Sequence, residues 1–140
     1  MFLGGIDPGE LRILINGLDT SKSGDIYGIT PYLVKVGCDE LIPHLTILFN
    51  KSFEEGTFPT VLKYAKVVPI HKGDSKFIMS NYRPIALLPI LGKCLEKLMH
   101  TRLYKFFCQH KILSPMQYGF QKAKSTEQAF LISIIKLSIH

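Results

Sequence analysis

The sequence predicts an α+β fold, mainly helical, with one small antiparallel hairpin. Three observations lead there. Two long stretches, residues 40–55 and 90–107, repeat apolar side chains at helical spacing. One run, Ala65 to His71, carries the β-branched Val67, Val68 and Ile70 and ends on Gly73-Asp74, a strand feeding a turn. With 140 residues, 46% of them hydrophobic, the chain has the size of one domain and can bury a real core.

Taken in order, Pro8 to Asn16 reads as a short helix, with Asp7 as N-cap, Pro8 at the first helical position and Gly17 as stop. Asp19 to Gly28 is a turn-rich loop. Tyr32 to Lys35 makes a helical turn or two before Gly37. From about Glu40 to Glu55 the apolar residues Leu41, Ile42, Leu45, Leu48, Phe49 and Phe53 share one face, and Gly56 ends the helix. Pro43 falls in its first turn, where a missing N–H costs little. After the strand, Ile85 to Leu88 can serve as its partner, bounded by Pro84 and Pro89, neither of which suits the centre of a sheet. Ile90 to Phe107 is the second strong amphipathic helix, with Leu91, Leu95, Leu98 and Phe106 on the apolar side and Lys93, Glu96, Lys97 and His100 opposite. Arg102 falls on the apolar side, so it either snorkels to solvent or pairs with a carboxylate or a helix-end carbonyl. Ser125 with Gln128 three residues on is a capping box, opening a last helix that is apolar nearly all round and therefore expected between layers. The chain stops on that helix, as if cut within a domain.

Charge is unevenly divided. Residues 1–62 carry 4 Lys/Arg against 8 Asp/Glu, a balance of −4, whereas residues 63–140 carry 13 against 3, a balance of +10. A half-chain this basic is a footprint for phosphates, or else a solvated lysine-rich surface. Cys38, Cys94 and Cys108 form no CxxC pair and no zinc quartet with the five histidines. The odd thiol count and the absence of a signal-peptide pattern favour an intracellular setting, cytoplasm or nucleus. Ala129 to Ile139, broken by Lys136, is too short to span a bilayer, so no membrane partner is expected.

The informative residues lie at the hairpin. Lys66-Val67-Val68-Pro69-Ile70-His71-Lys72-Gly73-Asp74 is followed by Asn81-Tyr82-Arg83-Pro84-Ile85. This layout holds two permanent cations, Lys72 and Arg83, near one another. Such a pair suits a polyphosphate or a nucleic-acid backbone, and nothing nearby supplies carboxylates for chemistry on it. The bland reading of Arg83 is a surface arginine beside a proline turn. His71 reads as a weakly basic turn residue.

Four blocks in order carry a resemblance. They are Ser21-Lys22-Ser23 with Gly28-Ile29 and Leu33-Val34-Lys35; Phe49-Asn50-Lys51-Ser52 with Gly56-Thr57-Phe58-Pro59 and the strand; Asn81 to Leu88 running into Lys93 and Glu96-Lys97; and Leu113-Ser114-Pro115 with Gln117-Tyr118-Gly119-Phe120 and Ser125-Thr126. From Ser21 to Ala129 the chain resembles the N-terminal part of the reverse transcriptase of non-LTR (LINE-type) retrotransposons, with residues 1–20 a loosely matching leader. It departs from the family pattern at Tyr27, where an aspartate is usual, and at Gln121 and Ala123, where an arginine and a glycine are usual.

The resemblance implies an incomplete fingers subdomain of a right-hand polymerase over residues 1–140, with the palm absent. It implies that Lys72 and Arg83 clasp the triphosphate of an incoming nucleotide. Lys66, Lys93, Lys97, Lys122 and Lys124 become candidates for contacts to the RNA or DNA backbone, with Gln121 at the family's arginine position and Tyr118 packing beneath template or primer. The family's metal-binding aspartates lie beyond the last helix, so the implied Mg²⁺ belongs to the missing palm, and no cofactor or metal ligand is expected in this stretch. The expected function is a polymerase fragment that binds phosphate and nucleic acid and is catalytically inactive alone. The alternatives are a non-enzymatic nucleic-acid-binding or interaction module, or a functionless translated remnant of a retroelement.

Overall fold

The computed structural model describes residues 4–114, 116–119 and 124–128. The chain divides into two units, 1–102 and 103–140. The expected last helix after Gln128 lies outside the described residues.

The first unit is a small helical body carrying a two-stranded ribbon. Helix α1, Pro8–Asn16, starts where expected: the Asp7 carboxylate accepts from the Gly9 and Glu10 amides at 2.8 and 3.2 Å. Helix α2, Pro31–Val36, begins one residue before the expected turn because Pro31 takes the first position and Thr30 Oγ1 accepts from the Leu33 amide at 3.1 Å. Helix α3, Cys38–Glu55, begins two residues earlier than its apolar pattern suggests. Pro43 therefore falls past the first turn, and the Asp39 carbonyl has no N–H to accept from it. Gly56 closes the helix in the left-handed region at φ 64°, which only glycine adopts freely.

Ile42, Leu45 and Phe49 of α3 pack with Leu11 and Ile15 of α1, Val34 of α2 and Leu95 and Leu98 of helix α4, Ile90–Gln109. Leu48, expected on this face, is 42% exposed. Leu62, in a short 3₁₀ turn at Thr60–Lys63, closes the core against Gly92, where an added Cβ would lie 3.2 Å from the Leu62 carbonyl oxygen. The exposed residues Lys93, Glu96, Lys97 and His100 occupy the opposite side of α4, as its periodicity predicts.

Several motif residues hold this body together. The Asn50 side chain clamps the backbone of Ile6, accepting from its N–H at 2.6 Å and donating to its carbonyl at 3.1 Å. Ser52 Oγ donates to the Thr57 carbonyl, folding the chain back after Gly56. Arg102 resolves its two expected options in favour of pairing: it grips both oxygens of Glu10 at 3.0 and 2.7 Å and donates to the carbonyls of Gly4, Gly5 and Leu98. Its guanidinium lies 5.5 Å from the centre of the Phe53 ring.

Strands β1, Lys66–His71, and β2, Tyr82–Leu87, pair antiparallel, with Val68 opposite Ile85 and Ile70 opposite Arg83. The second strand starts before Pro84, not after it. The register explains why: Pro69 faces Pro84, one step from pairs that exchange ladder bonds, so neither ring removes a bond the ribbon uses.

In the second unit, α4 ends in a Schellman arrangement. Lys111 adopts a positive φ of 53°, its amide reaches the Cys108 carbonyl at 3.2 Å, and the Ile112 amide reaches that of Phe107 at 3.0 Å. Ser125 and Gln128 form the expected capping box, each amide donating to the other's side chain at 3.1 and 3.2 Å. No helix among the described residues is long and apolar enough to cross a membrane.

Candidate nucleic-acid interface

Side chains of a strand alternate between faces, and residues directly opposite in an antiparallel pair share a face. Ile70 is opposite Arg83. The Lys72 amide continues the ladder, donating to the Asn81 carbonyl at 2.7 Å. Lys72 therefore stands on the same face as Ile70 and is the diagonal neighbour of Arg83, a relation that long side chains can bridge. Both residues are exposed, and neither is ion-paired among the described residues. Lys66, at the far end of β1, shares this face. Immediately beyond Lys72 the backbone turns at Gly73, with φ of 131°, which a residue carrying a Cβ adopts only under strain.

The opposite face is closed by a ring pair. His71 lies directly across from Tyr82, with ring centres 5.1 Å apart. It belongs to the strand, not to the turn, and its Nε2 is buried without a hydrogen-bond partner among the described residues.

Lys93 and Lys97 project from the exposed side of α4. Lys93, with Lys22, Gly24 and Asp25, lines a hollow of about 100 Å³ beside the start of that helix. Asp25 is a structural anchor that no local sequence pattern announces. One carboxylate oxygen accepts from the amides of Tyr27 and Ile29 at 2.9 and 3.1 Å, and the other accepts from the amide of Ile90 at 3.0 Å. It thus fixes the loop and caps α4 from 65 residues away in sequence. Where the family pattern has a carboxylate just before Gly28, this chain has one two residues earlier.

In the second unit, Tyr118 and Lys124 come together: the amine lies 5.1 Å from the ring centre and donates to the Gln117 carbonyl at 3.1 Å. Gln121 and Lys122 lie outside the described residues. Among the described residues, no three His, Cys, Asp or Glu side chains gather in a way that could hold a metal ion.

Residues 70–139 match the reverse transcriptase (RNA-dependent DNA polymerase) family. The chain belongs to that family. Its relatives come from mobile elements of the non-LTR kind. The RNA-directed DNA polymerase from mobile element jockey of Drosophila melanogaster is 34% identical over 120 residues, covering 85% of this chain and 13% of that protein. The probable RNA-directed DNA polymerase from transposon BS of the same species is 32% identical over 118 residues, 84% of this chain and 13% of that protein. The putative 115 kDa protein in type-1 retrotransposable element R1DM is 30% identical over 123 residues, 86% of this chain and 12% of that protein. The chain therefore spans about an eighth of the length of these relatives.

Proposed function

We propose that this chain is the fingers portion of a retrotransposon RNA-directed DNA polymerase and that its ribbon grips the triphosphate of an incoming nucleotide. The observation that carries this reading is the sharing of one ribbon face by Lys72 and Arg83, exposed and without carboxylate partners among the described residues. Arg83 offers a planar fork that holds phosphate oxygens two at a time, and Lys72 adds a point charge. Negative charge builds on pyrophosphate as it leaves, and cations fixed beside it in advance lower the barrier. Losing one such donor typically costs about 3 kcal/mol of activation free energy. Lys66, Lys93 and Lys97 are candidates for contacts to the nucleic-acid backbone, as are Lys122, Lys124 and Gln121 of the second unit, whose Tyr118 packs beneath template or primer. The 140 residues bind substrate phosphates and carry no polymerase activity by themselves.

Binding of a 12-nucleotide RNA and of a nucleoside triphosphate, titrated against salt, tests the grip. Lys72→Ala with Arg83→Ala should weaken both and reduce the salt slope on RNA by about 1.4, two phosphate contacts at about 0.7 each. Affinity and slope that ignore both substitutions would remove these residues from the site.

A further inference from the structure

The loop between the strands carries a feature the phosphate grip leaves unexplained. Phe77 is 98% exposed and Met79 90%, with Ile78 between them half exposed. Three apolar residues in a row at the tip of a hairpin forgo much of the burial that normally stabilises such side chains. They are not there through lack of order. Asn81 Nδ2 donates to the Ser75 carbonyl at 2.9 Å and the Tyr82 hydroxyl donates to the Lys76 carbonyl at 3.0 Å, drawing the base of the loop closed. The Ile78 amide reaches the Ser75 carbonyl and the Asn81 amide the Ile78 carbonyl, at 3.4 and 3.1 Å. A hydrogen-bonded frame thus presents Phe77 outward, and little ordering remains to be done on binding.

The surroundings select the partner. From Lys66 to Leu87 the chain has four Lys/Arg and one acid, Asp74. Three of those cations, Lys72, Lys76 and Arg83, lie in the loop or at its ends. A ligand that alternates negative charge with flat apolar faces matches this combination, and an unpaired nucleic-acid strand is such a ligand. We propose that loop 73–81 is a base-stacking platform: Phe77, with the polarizable Met79 beside it, packs against unpaired bases of a strand whose phosphates lie along Lys72, Lys76 and Arg83. The inference rests on the phosphate-gripping reading of the ribbon and adds to it a contact with the bases.

The test compares 12-nucleotide oligo-dT and oligo-rU with an abasic deoxyribose 12-mer of the same charge, using the 140-residue chain. The unaltered chain should bind the base-bearing strands about fivefold or more tighter than the abasic one. Phe77→Ala with Met79→Ala should bring that ratio close to one while leaving the salt slope unchanged, and, because both side chains are exposed, the melting temperature as well. The chain contains no tryptophan, so Phe77→Trp installs a single reporter whose fluorescence should be quenched by oligo-dT and not by the abasic strand. A ratio untouched by the alanine pair, or an unquenched Phe77→Trp, overturns the proposal. So does a larger loss of affinity for phosphatidylcholine–phosphatidylserine vesicles than for oligonucleotides. Failure of the phosphate grip reads separately, as a salt slope that Lys72→Ala and Arg83→Ala do not change.

Discussion

Arg102 and Arg83 show how differently the helical body and the ribbon use the same side chain. In the body, Arg102 is only 14% exposed at its side chain and its guanidinium is saturated by Glu10 and three backbone carbonyls. On the ribbon, Arg83 stands on an open face beside Lys72 without a carboxylate partner among the described residues. In the body the arginine ties elements together, and on the ribbon it stands exposed. Burial follows the same division. The core comes from helices and the 3₁₀ turn, whereas Val67, Ile70 and Ile85 of the ribbon stay exposed.

The sharpest way to break this contrast is to truncate both arginines. Arg102→Ala strands the Glu10 carboxylate and three carbonyls, so urea unfolding should show a loss of about 3 kcal/mol. Arg83→Ala should stay within about 0.5 kcal/mol of the parent. Equal losses at the two sites would abolish the distinction.

A second effect comes from the core thiol of α4. Burial pushes Cys94 up to about 11, partly offset by the charge on Lys97. The folded state favours the neutral thiol, so its contribution is complete below the ordinary cysteine range and is lost as pH rises toward 11. Stability should fall by about 2–3 kcal/mol across that window, less so in Cys94→Ala. The exposed Cys108 should react with a thiol reagent well before the buried Cys38 and Cys94.

Smaller still is the loss expected for Asp25→Ala, which strips a cap from α4 and two amides from the loop. A cost of about 1–2 kcal/mol, read from thermal unfolding, is expected. Asp25→Asn, which keeps an acceptor, should recover part of it.

What could be read from the sequence was local. Asp7 with Pro8, and Ser125 with Gln128, announce their helix starts within four residues, and both behave as the spacing says. That Lys72 and Arg83 fall on one ribbon face follows from the register, with Ile70 opposite Arg83, which the sequence alone leaves open. What failed depended on distant partners or on the wrong frame. Asp25 caps a helix 65 residues away, and Asn50 clamps a backbone 44 residues away, so no window contains either signal. The second strand begins earlier than the sequence suggests because Pro84 would break an interior strand, while this two-stranded ribbon has none. Periodicity puts Arg102 on the apolar side of α4, and its partner Glu10 on α1 is invisible to such an argument. Phe77 to Met79 carry no periodic signal, because three apolar residues in a turn fit neither the helical nor the strand period.

The facing prolines carry a consequence for how the ribbon behaves in company. At their level of the ladder the backbone groups of both strands point outward, and both rings lack the donor that a newcomer would need. A Lys-Val-Val-Pro-Ile-His segment would otherwise be a sticky template for self-association. With both flanks interrupted at one height, a third strand finds no continuous ladder to join, and the ribbon can remain bare of neighbouring strands.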